Sequence, residues 1–328
     1  MSAALRRTIA QIFPGKPTFT EADIPAQRGK VFIVTGGNAG LGYHLVKILY
    51  SKGAKVYMLS RSQSKAEAAI KSIKEEVTDS SGDIIYIHLD LADLTTVKPA
   101  AQAFATRETK LDVLFNNAGI GAAPEDSKTK QGYELLMGTN AIAPFLLTQL
   151  LLPYLQAAAK TAPKNSVRVV WTSSPIIEDT YVPPGGLLAS HLASPPKNSP
   201  TNYALSKCAN WYLASELSNR VSSSGIISLV QNPGNLKTAV WDPAPWIIRK
   251  LLRVTMHPPV YGAYTNLWAG VSENVTIEDG GRYVVPWGAW HPNPRQDLLD
   301  ALKSEEEGGS GEAAKVWDWC EKETRAFA

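Results

Sequence analysis

The chain has 328 residues, with 33 basic and 30 acidic side chains and a formal net charge of +3. This length supports one large α/β domain or two small ones, and the balanced charge gives no indication of a nucleic-acid-binding face. The two cysteines, Cys208 and Cys320, stand in no disulfide or metal-binding spacing, so we expect no metal site and a cytoplasmic protein. No apolar run approaches the ~18 residues that a transmembrane helix needs.

Residues 1–29 precede the first predicted strand. Leu5, Ile9, Ile12 and Phe13 share one helical face in MSAALRRTIAQIF, and this spacing predicts a short helix docked on the body of the protein. A membrane-surface anchor and a transit peptide are the alternatives that this basic, amphipathic segment allows.

From residue 30 onward, β-branched runs alternate with amphipathic segments. Strands are predicted at 30–36, 54–60, 83–89, 111–117, 166–174, 225–234 and 281–287, and helices at 41–53, 64–77, 131–159 and 203–221. Ser64 and Glu67 predict a capping box at the start of the second helix. The alternation predicts an α/β protein with a single Rossmann-type, doubly wound parallel sheet of about seven strands and helices on both faces. The ligand crevice then lies at the carboxyl ends of the strands.

A glycine-rich loop, TGGNAGLG at 35–42, follows the first predicted strand and leads into a helix. Gly36, Gly40 and Gly42 allow positive φ angles and close approach of a ligand to the backbone. The start of the helix offers unpaired N–H groups to an anion. Asn38 and Leu41 occupy the positions where the GxGxxG fingerprint would have glycine. The loop therefore predicts a pyrophosphate site, with a spacing that differs from that fingerprint.

The end of the second predicted strand indicates which dinucleotide is bound. An Asp or Glu at this place would bond the ribose 2′-hydroxyl of NAD. The chain instead has Ser60 and Arg61, with Lys65 one turn on. Arg61 can hold a 2′-phosphate in a bidentate fork, whereas an acid would repel it. The predicted cofactor is therefore NADP(H).

Further motifs stand at the ends of later predicted elements. Asn116-Asn117-Ala118-Gly119 ends the fourth strand, Tyr203-Ala-Leu-Ser-Lys207 opens a helix, and Asn232-Pro233-Gly234 ends the sixth strand. With the TGxxxGxG loop, these motifs resemble the short-chain dehydrogenase/reductase family of the classical type, over residues 30–285. The long gap between Ser174 and Tyr203 is similar to that of the retinol-dehydrogenase-like branch. The N-terminal lead-in and tryptophan-rich tail resemble fungal members related to light-induced alcohol dehydrogenases.

The resemblance implies a domain organisation. Residues 1–29 form a helical lead-in, 30–290 the Rossmann-fold catalytic domain, and 291–328 a C-terminal helical extension. The catalytic domain carries an insertion at 175–200 and a substrate-covering lid at 238–260. Trp241 and Trp246 in the lid suggest a bulky apolar substrate, although they could equally serve only to pack the lid down.

The resemblance also implies which residues bind the cofactor. In the family pattern Asp90 contacts the adenine, Leu236 lies against the nicotinamide, and Thr238 lies near its amide or the pyrophosphate. The expected NADP(H)-binding residues are Gly36, Asn38, Gly40, Leu41, Gly42, Arg61, Lys65, Asp90, Leu91, Asn117, Ala118, Gly119, Tyr203, Lys207, Pro233, Gly234, Leu236 and Thr238.

The catalytic residues that the resemblance implies are Ser174, Tyr203, Lys207 and Asn140. The four-residue spacing of Tyr203 and Lys207 puts both side chains on one helical face. A free phenol has a pKa near ~10, and a cation at ~4 Å supplies about the 4 kcal/mol needed to lower it to ~7. Ser174 would bond the substrate oxygen, with Ser173 as the rival residue.

Asn140 carries a separate structural expectation. Pro144 lies four residues on and has no N–H, so the main-chain carbonyl of Asn140 loses its helical partner. In the family this carbonyl holds a water that links the lysine to bulk solvent. A simple helix kink is the alternative.

These residues predict an NADP(H)-dependent oxidoreductase that interconverts a ketone or aldehyde and an alcohol by hydride transfer, with Tyr203 as general acid/base. One alternative is a secondary-metabolite biosynthetic enzyme that reduces an imine or dehydrates its product at the same site. The other is a non-catalytic NADP(H)-sensing protein. The expected partner is a small-molecule carbonyl or alcohol and not a nucleic acid. Peripheral membrane contact and oligomerisation through the helices at 131–159 and 203–221 stay open.

Overall fold

The computed structural model describes Arg7, residues 11–237 and residues 255–328. Its sheet has eight strands in the order β3-β2-β1-β4-β5-β6-β7-β8. The strands are β1 Val31–Thr35, β2 Lys55–Ser60, β3 Asp83–His88, β4 Val113–Asn116, β5 Val167–Thr172, β6 Ile226–Gln231, β7 Tyr283–Val285 and β8 Ala289–Trp290. Strands β1 to β7 pair in parallel, and β8 pairs antiparallel with β7.

The helices cover both faces of this sheet. They are α1 Gly40–Ser51, α2 Gln63–Glu76, α3 Val97–Ala105, α4 Leu135–Met137, α5 Ala143–Ala159, α6 Ala189–Ala193, α7 Ser199–Val221, α8 Pro259–Val271, α9 Gln296–Leu302 and α10 Glu312–Thr324. This confirms the predicted Rossmann-type fold. Strands β2 and β3 are added on one side of β1, and β4 and its successors on the other, so the strand order reverses between β1 and β4 and places the crevice at the carboxyl ends of those two strands.

Two apolar layers hold the sheet between the helices. Because successive strand residues point to opposite faces, Ile33 packs in the layer with α3, α5 and α7, while Phe32 and Val34 pack in the layer with α1, α2 and α8. Every residue of β1 is buried. A strand buried on both faces needs a continuous apolar run, and for this reason the sequence pattern located it correctly.

Several predicted boundaries were wrong in detail. Helix α2 begins at Gln63, because Ser62 and not Ser64 is the N-cap and accepts from the Lys65 N–H. Helix α7 begins at Ser199, since Asn198 caps it by accepting from the Thr201 N–H at 2.9 Å. The eighth strand was also missed, because two residues are too few to show a pattern of alternation.

The predicted helix at 131–159 is interrupted. A π turn at Gly138–Ile142 separates α4 from α5. The combined segment Leu135–Ala159 is long and apolar enough to span a membrane, yet most of it is buried inside the protein, as expected of a core helix.

The C-terminal extension packs on the catalytic helices. Helix α10 contacts both α7 and α5. The Trp317 ring meets the Phe145 ring edge-on at 4.9 Å, and the Arg220 guanidinium lies over the same indole at 4.5 Å. The extension therefore covers part of the helical layer that carries the Tyr203 motif.

Candidate active site

The glycine loop connects β1 to α1 at the edge of the crevice. Gly36 and Gly40 have φ angles of +68° and +56°, which side-chain-bearing residues rarely adopt. Gly42 is required for a different reason, because a Cβ there would lie 2.4 Å from the Gly36 carbonyl oxygen. The spacing TGxxxGxG thus describes two left-handed residues and one close backbone contact.

The start of α1 lies open to an anion. Its N-cap residue, Ala39, makes no side-chain cap hydrogen bond. The first N–H groups of a helix carry partial positive charge and need acceptors. Asn38 and Leu41 flank this start and are both partly buried.

The loop after β4 is fastened to the end of β1. The Thr35 hydroxyl accepts from the N–H groups of Asn117 and Ala118, at 2.9 Å each. Asn117 Nδ2 donates to the Thr35 carbonyl at 2.8 Å, while Asn117 Oδ1 is buried without a hydrogen-bond partner. The orphaned oxygen is an acceptor that a cofactor amide or hydroxyl can satisfy.

The adenosine side of the crevice carries the predicted charges. Arg61 and Lys65 are exposed at the end of β2 and in the first turn of α2. Asp90 follows β3, is partly buried and accepts from the Ala92 N–H at 3.0 Å, and Leu91 beside it is buried. Both basic side chains are therefore exposed to solvent beside the end of β2.

Ser174 and Tyr203 meet at the end of β5. The Ser174 side chain faces the phenol, and their interaction opposes the burial that raises the pKa of Tyr203. Ser174 Oγ also accepts from the Ile176 N–H at 3.4 Å. Ser173 points away, since its hydroxyl is buried and donates to the Lys207 carbonyl at 2.8 Å. The geometry thus brings Ser174, and not Ser173, to the tyrosine.

Lys207 lies behind the tyrosine, with Nζ 5.8 Å from the centroid of the Tyr203 ring. Its ammonium donates to the Thr172 carbonyl at 3.0 Å, and burial lowers the pKa of Lys207 to about 8. A methyl group added at Gly119 would lie 3.1 Å from Nζ and 3.0 Å from Asn140 Oδ1. Lys207, Asn140 and Gly119 therefore share one narrow space at the crevice.

The protein groups alone do not lower the pKa of Tyr203. Burial raises it, and the interaction with the Ser174 side chain only partly offsets that effect. The expected lowering to neutral pH therefore requires a further positive charge.

Asn140 lies inside the π turn, where its side chain has a role that the sequence did not assign. Asn140 Oδ1 accepts from the Ile120 N–H at 2.8 Å, while Nδ2 donates to the Ile120 carbonyl at 3.0 Å and to Ser206 Oγ at 2.9 Å. This amide clasps the loop after β4 to α7. The role of the Asn140 carbonyl in a proton path stays a prediction.

The loop after β6 carries the residues that were predicted to face the nicotinamide. Gly234 has a φ of +84°, and its N–H donates to Asn232 Oδ1 at 2.8 Å. Leu236 is buried, and Pro233 is partly buried. Thr238 and lid residues 238–254 lie outside the described residues.

Sequence reasoning missed two residues that fix this site. Asn210 Nδ2 donates to the same Thr172 carbonyl as Lys207, at 2.9 Å. Tyr283, on β7, donates its hydroxyl to the Ser174 carbonyl at 3.0 Å. The spacing of Asn210 three residues after Lys207 could have indicated the first, since both lie on one face of α7. No local signal connects Tyr283 to Ser174.

The arrangement fits a nicotinamide dinucleotide. The glycine cradle leaves no room for side chains, the start of α1 is uncapped, and Asn117 Oδ1 lacks a partner.

In the part of the chain that the structure describes, no group of three or more His, Cys, Asp or Glu side chains could hold a metal ion.

Comparisons with known proteins agree with this geometry. A family model described as short chain dehydrogenase matches residues 30–181. A short-chain dehydrogenase/reductase from the fungus Phomopsis amygdali is 45% identical, covering 99% of this chain and 98% of its own length. A solved protein from Mycobacterium paratuberculosis is 29% identical, with a TM-score of 0.68 over 94% of this chain and 97% of its own. NADPH-bound carbonyl reductase from chicken fatty liver shares the fold, with 23% identity and a TM-score of 0.58 over 78% and 96% of the two chains.

Proposed function

The chain belongs to the short-chain dehydrogenase/reductase family, and from that premise we propose that it interconverts a ketone or aldehyde and an alcohol with NADP(H). The observation that carries the proposal is the cluster of Ser174, Tyr203 and Lys207 at the end of β5, opposite the glycine loop. A hydroxyl, a phenol and an ammonium gathered at the crevice are the groups that carbonyl reduction requires.

In the reducing direction, bound NADPH supplies the hydride. Tyr203 donates its phenolic proton to the substrate oxygen, and Ser174 holds that oxygen with a hydrogen bond. Lys207, fixed by the Thr172 carbonyl, stabilises the phenolate that remains. Lys207 is buried while Ser174 and Tyr203 are partly buried, and this partial shielding from water strengthens each interaction at the reacting centre.

Two features support the choice of cofactor and of substrate class. Arg61 and Lys65 provide charge for a 2′-phosphate, and no acid stands at the end of β2. At the C-terminal base of the lid, the rings of His257, Tyr261 and Trp287 pack against one another at 5.0 to 6.2 Å. An aromatic wall of this kind favours a bulky apolar substrate.

The test is NADPH oxidation across a carbonyl panel by the wild type, Tyr203→Phe and Tyr212→Phe. Tyr203→Phe should lose turnover by at least about a thousandfold and keep NADPH affinity, because only the proton donor is removed. Tyr212 is a buried tyrosine on the same helix, so its substitution is a matched control that should retain activity. Full activity in Tyr203→Phe would refute the assignment. NADPH binding without turnover by the wild type across the whole panel would favour a sensor instead.

A further inference from the structure

The N-terminal segment is bound to the substrate side of the crevice. We call Arg7 and residues 11–15 the N-terminal strap. Gln11 in the strap is only 3% exposed, and its Oε1 accepts from Asn232 Nδ2 at 2.8 Å, directly after β6. Trp287 Nε1, directly after β7, donates to the Gly15 carbonyl at 3.0 Å. The strap therefore crosses the carboxyl ends of two adjacent parallel strands, where ligands of this fold bind.

The strap also contacts the two described segments that flank residues 238–254 in the sequence. His257 Nε2 lies 3.0 Å from the Ile12 carbonyl and is placed to donate to it. The Lys237 N–H donates to the His257 carbonyl at 3.0 Å, and the His257 N–H donates to the Asn235 carbonyl at 2.8 Å. The Ile12 carbonyl therefore binds His257 at the place where residues 235–237 pair with residue 257.

A buried ion pair joins the strap to the loop after Ser174. The Glu178 side chain is 3% exposed, and its Oε2 lies 3.2 Å from Arg7 Nε. Glu178 ends the turn Pro175–Glu178, which Ser174 caps. A buried carboxylate is costly without a counter-charge. Arg7 therefore connects the strap to the turn that follows the candidate catalytic serine.

His291 completes the surroundings of this carboxylate. Its Nε2 lies 3.2 Å from Glu178 Oε1, and its Nδ1 accepts from the Asn293 N–H at 3.2 Å. Arg7 and His291 therefore lie on two sides of the Glu178 carboxylate, and Arg7 supplies a permanent positive charge beside it.

The amide orientation of Gln11 is fixed from the other side. The Gly234 N–H donates to Asn232 Oδ1, so Asn232 Nδ2 must be the donor to Gln11 Oε1. Gln11 Nε2 is hydrogen-bonded to His291 Nε2 at 3.2 Å. The Gln11 side chain therefore contacts both the loop after β6 and the His291 ring that lies beside Glu178.

We propose that the N-terminal strap completes the substrate site of this enzyme, with Arg7 and Gln11 as positioning residues that decide which carbonyl or alcohol substrates are accepted. They act by holding the Ser174 turn and both flanks of the lid in one arrangement. The inference rests on the function proposed above. The strap contacts lie around β6, β7 and β8, whereas the glycine loop and Arg61 lie at β1 and β2, so binding of the adenosine and pyrophosphate part of NADPH should depend little on the strap.

The first experiment compares Arg7→Met and Gln11→Ala with the wild type on small and bulky ketones. Both variants should raise the KM for bulky ketones about tenfold and alter the preference among ketones. Small displacements of the groups that line the site weaken productive binding of the substrate. The NADPH KM should change much less than the KM for bulky ketones, since the glycine loop and Arg61 are untouched and Gln11 reaches only the loop after β6. Lys16→Gln, an exposed change beside the strap, is the matched control and should match the wild type.

A double substitution tests the ion pair itself. Arg7→Met leaves the Glu178 carboxylate buried without a cation, whereas Arg7→Met with Glu178→Gln removes both charges. The double variant should therefore recover part of the selectivity lost in Arg7→Met. No recovery, or an equal loss of kcat, substrate binding and NADPH affinity in every variant, would reduce the strap to a general stability element and overturn the proposal.

Hydrogen exchange separates this inference from the proposed function, since it needs no turnover. In Gln11→Ala, amides of 174–182, 232–237 and 255–261 should exchange faster than in the wild type, and those of 30–60 should not. A wild type without turnover on any ketone would refute the proposed function, while exchange would still decide the strap. Unchanged exchange in those three segments would overturn the proposal.

Discussion

Replacing Lys207 with methionine should stabilise the fold while abolishing activity. Lys207 is 4% exposed, and burial lowers its pKa from an ordinary 10.5 to about 8. Each pKa unit corresponds to about 1.4 kcal/mol, so holding the ammonium in the folded protein at neutral pH costs about 3 kcal/mol. The loss of its hydrogen bond to the Thr172 carbonyl offsets only about 1 kcal/mol of that gain, because Asn210 still donates to the same oxygen. The expected net gain is about 2 kcal/mol.

The lowered pKa of Lys207 determines how the stability difference between the wild type and Lys207→Met changes with pH. Below pH 8 the lysine is protonated in both folded and unfolded chains, and the full penalty is present. Between about 8 and 10.5 only the unfolded chain keeps its proton, so the stability of the wild type rises with pH. The advantage of Lys207→Met should therefore be greatest at pH 7 and should shrink by pH 9.5. Urea denaturation at both pH values measures it.

Lys160→Met is the control, because Lys160 is exposed and lies at the end of α5. Its free energy of unfolding should change little at either pH. If Lys207→Met were less stable than the wild type at pH 7, or if its advantage were the same at pH 9.5, the reasoning from ammonium burial would be refuted.

Three further outcomes follow from the described contacts. Gly42→Ala should weaken NADPH binding at least about tenfold and destabilise the fold by about 1 to 3 kcal/mol, since its Cβ would lie 2.4 Å from the Gly36 carbonyl oxygen; NADPH titration and urea unfolding would show this, and wild-type values would contradict it. Arg61→Ala should raise the NADPH KM about tenfold and leave the NADH KM nearly unchanged, because only NADPH carries the 2′-phosphate; an equal change for both cofactors would argue against that contact. Trp317→Ala should cost about 3 to 5 kcal/mol of stability by removing the contact with Phe145, measured by urea unfolding at unchanged NADPH affinity.

Features with a local period could be predicted from the sequence. The β1 strand is a continuous apolar run because both of its faces are buried, and it was located almost to the residue. The placement of Tyr203 and Lys207 on one face follows from helical spacing alone. The glycine spacing at 36, 40 and 42 was informative because each glycine is required by a positive φ angle or by a close backbone contact within the loop itself.

Features that join distant segments could not be predicted. Gln11 and Asn232 are 221 residues apart in the sequence, and Arg7 and Glu178 are also far apart. None of these four residues belongs to a periodic pattern or a motif that indicates its partner. The π turn around Asn140 was not predicted, since proline indicates a carbonyl that loses its partner or a kink, and not the geometry that replaces the lost bond.

The sequence by itself determined the parallel sheet, the phosphate loop and the identity of the residues at the strand ends, because each depends on the spacing of near neighbours. Only the tertiary structure decided that Ser174 and not Ser173 meets Tyr203, that burial lowers the pKa of Lys207 to about 8, and that the N-terminal strap lies across β6 and β7. Hydrogen bonds between distant segments and desolvation depend on which groups the whole fold brings together, and no local pattern records that.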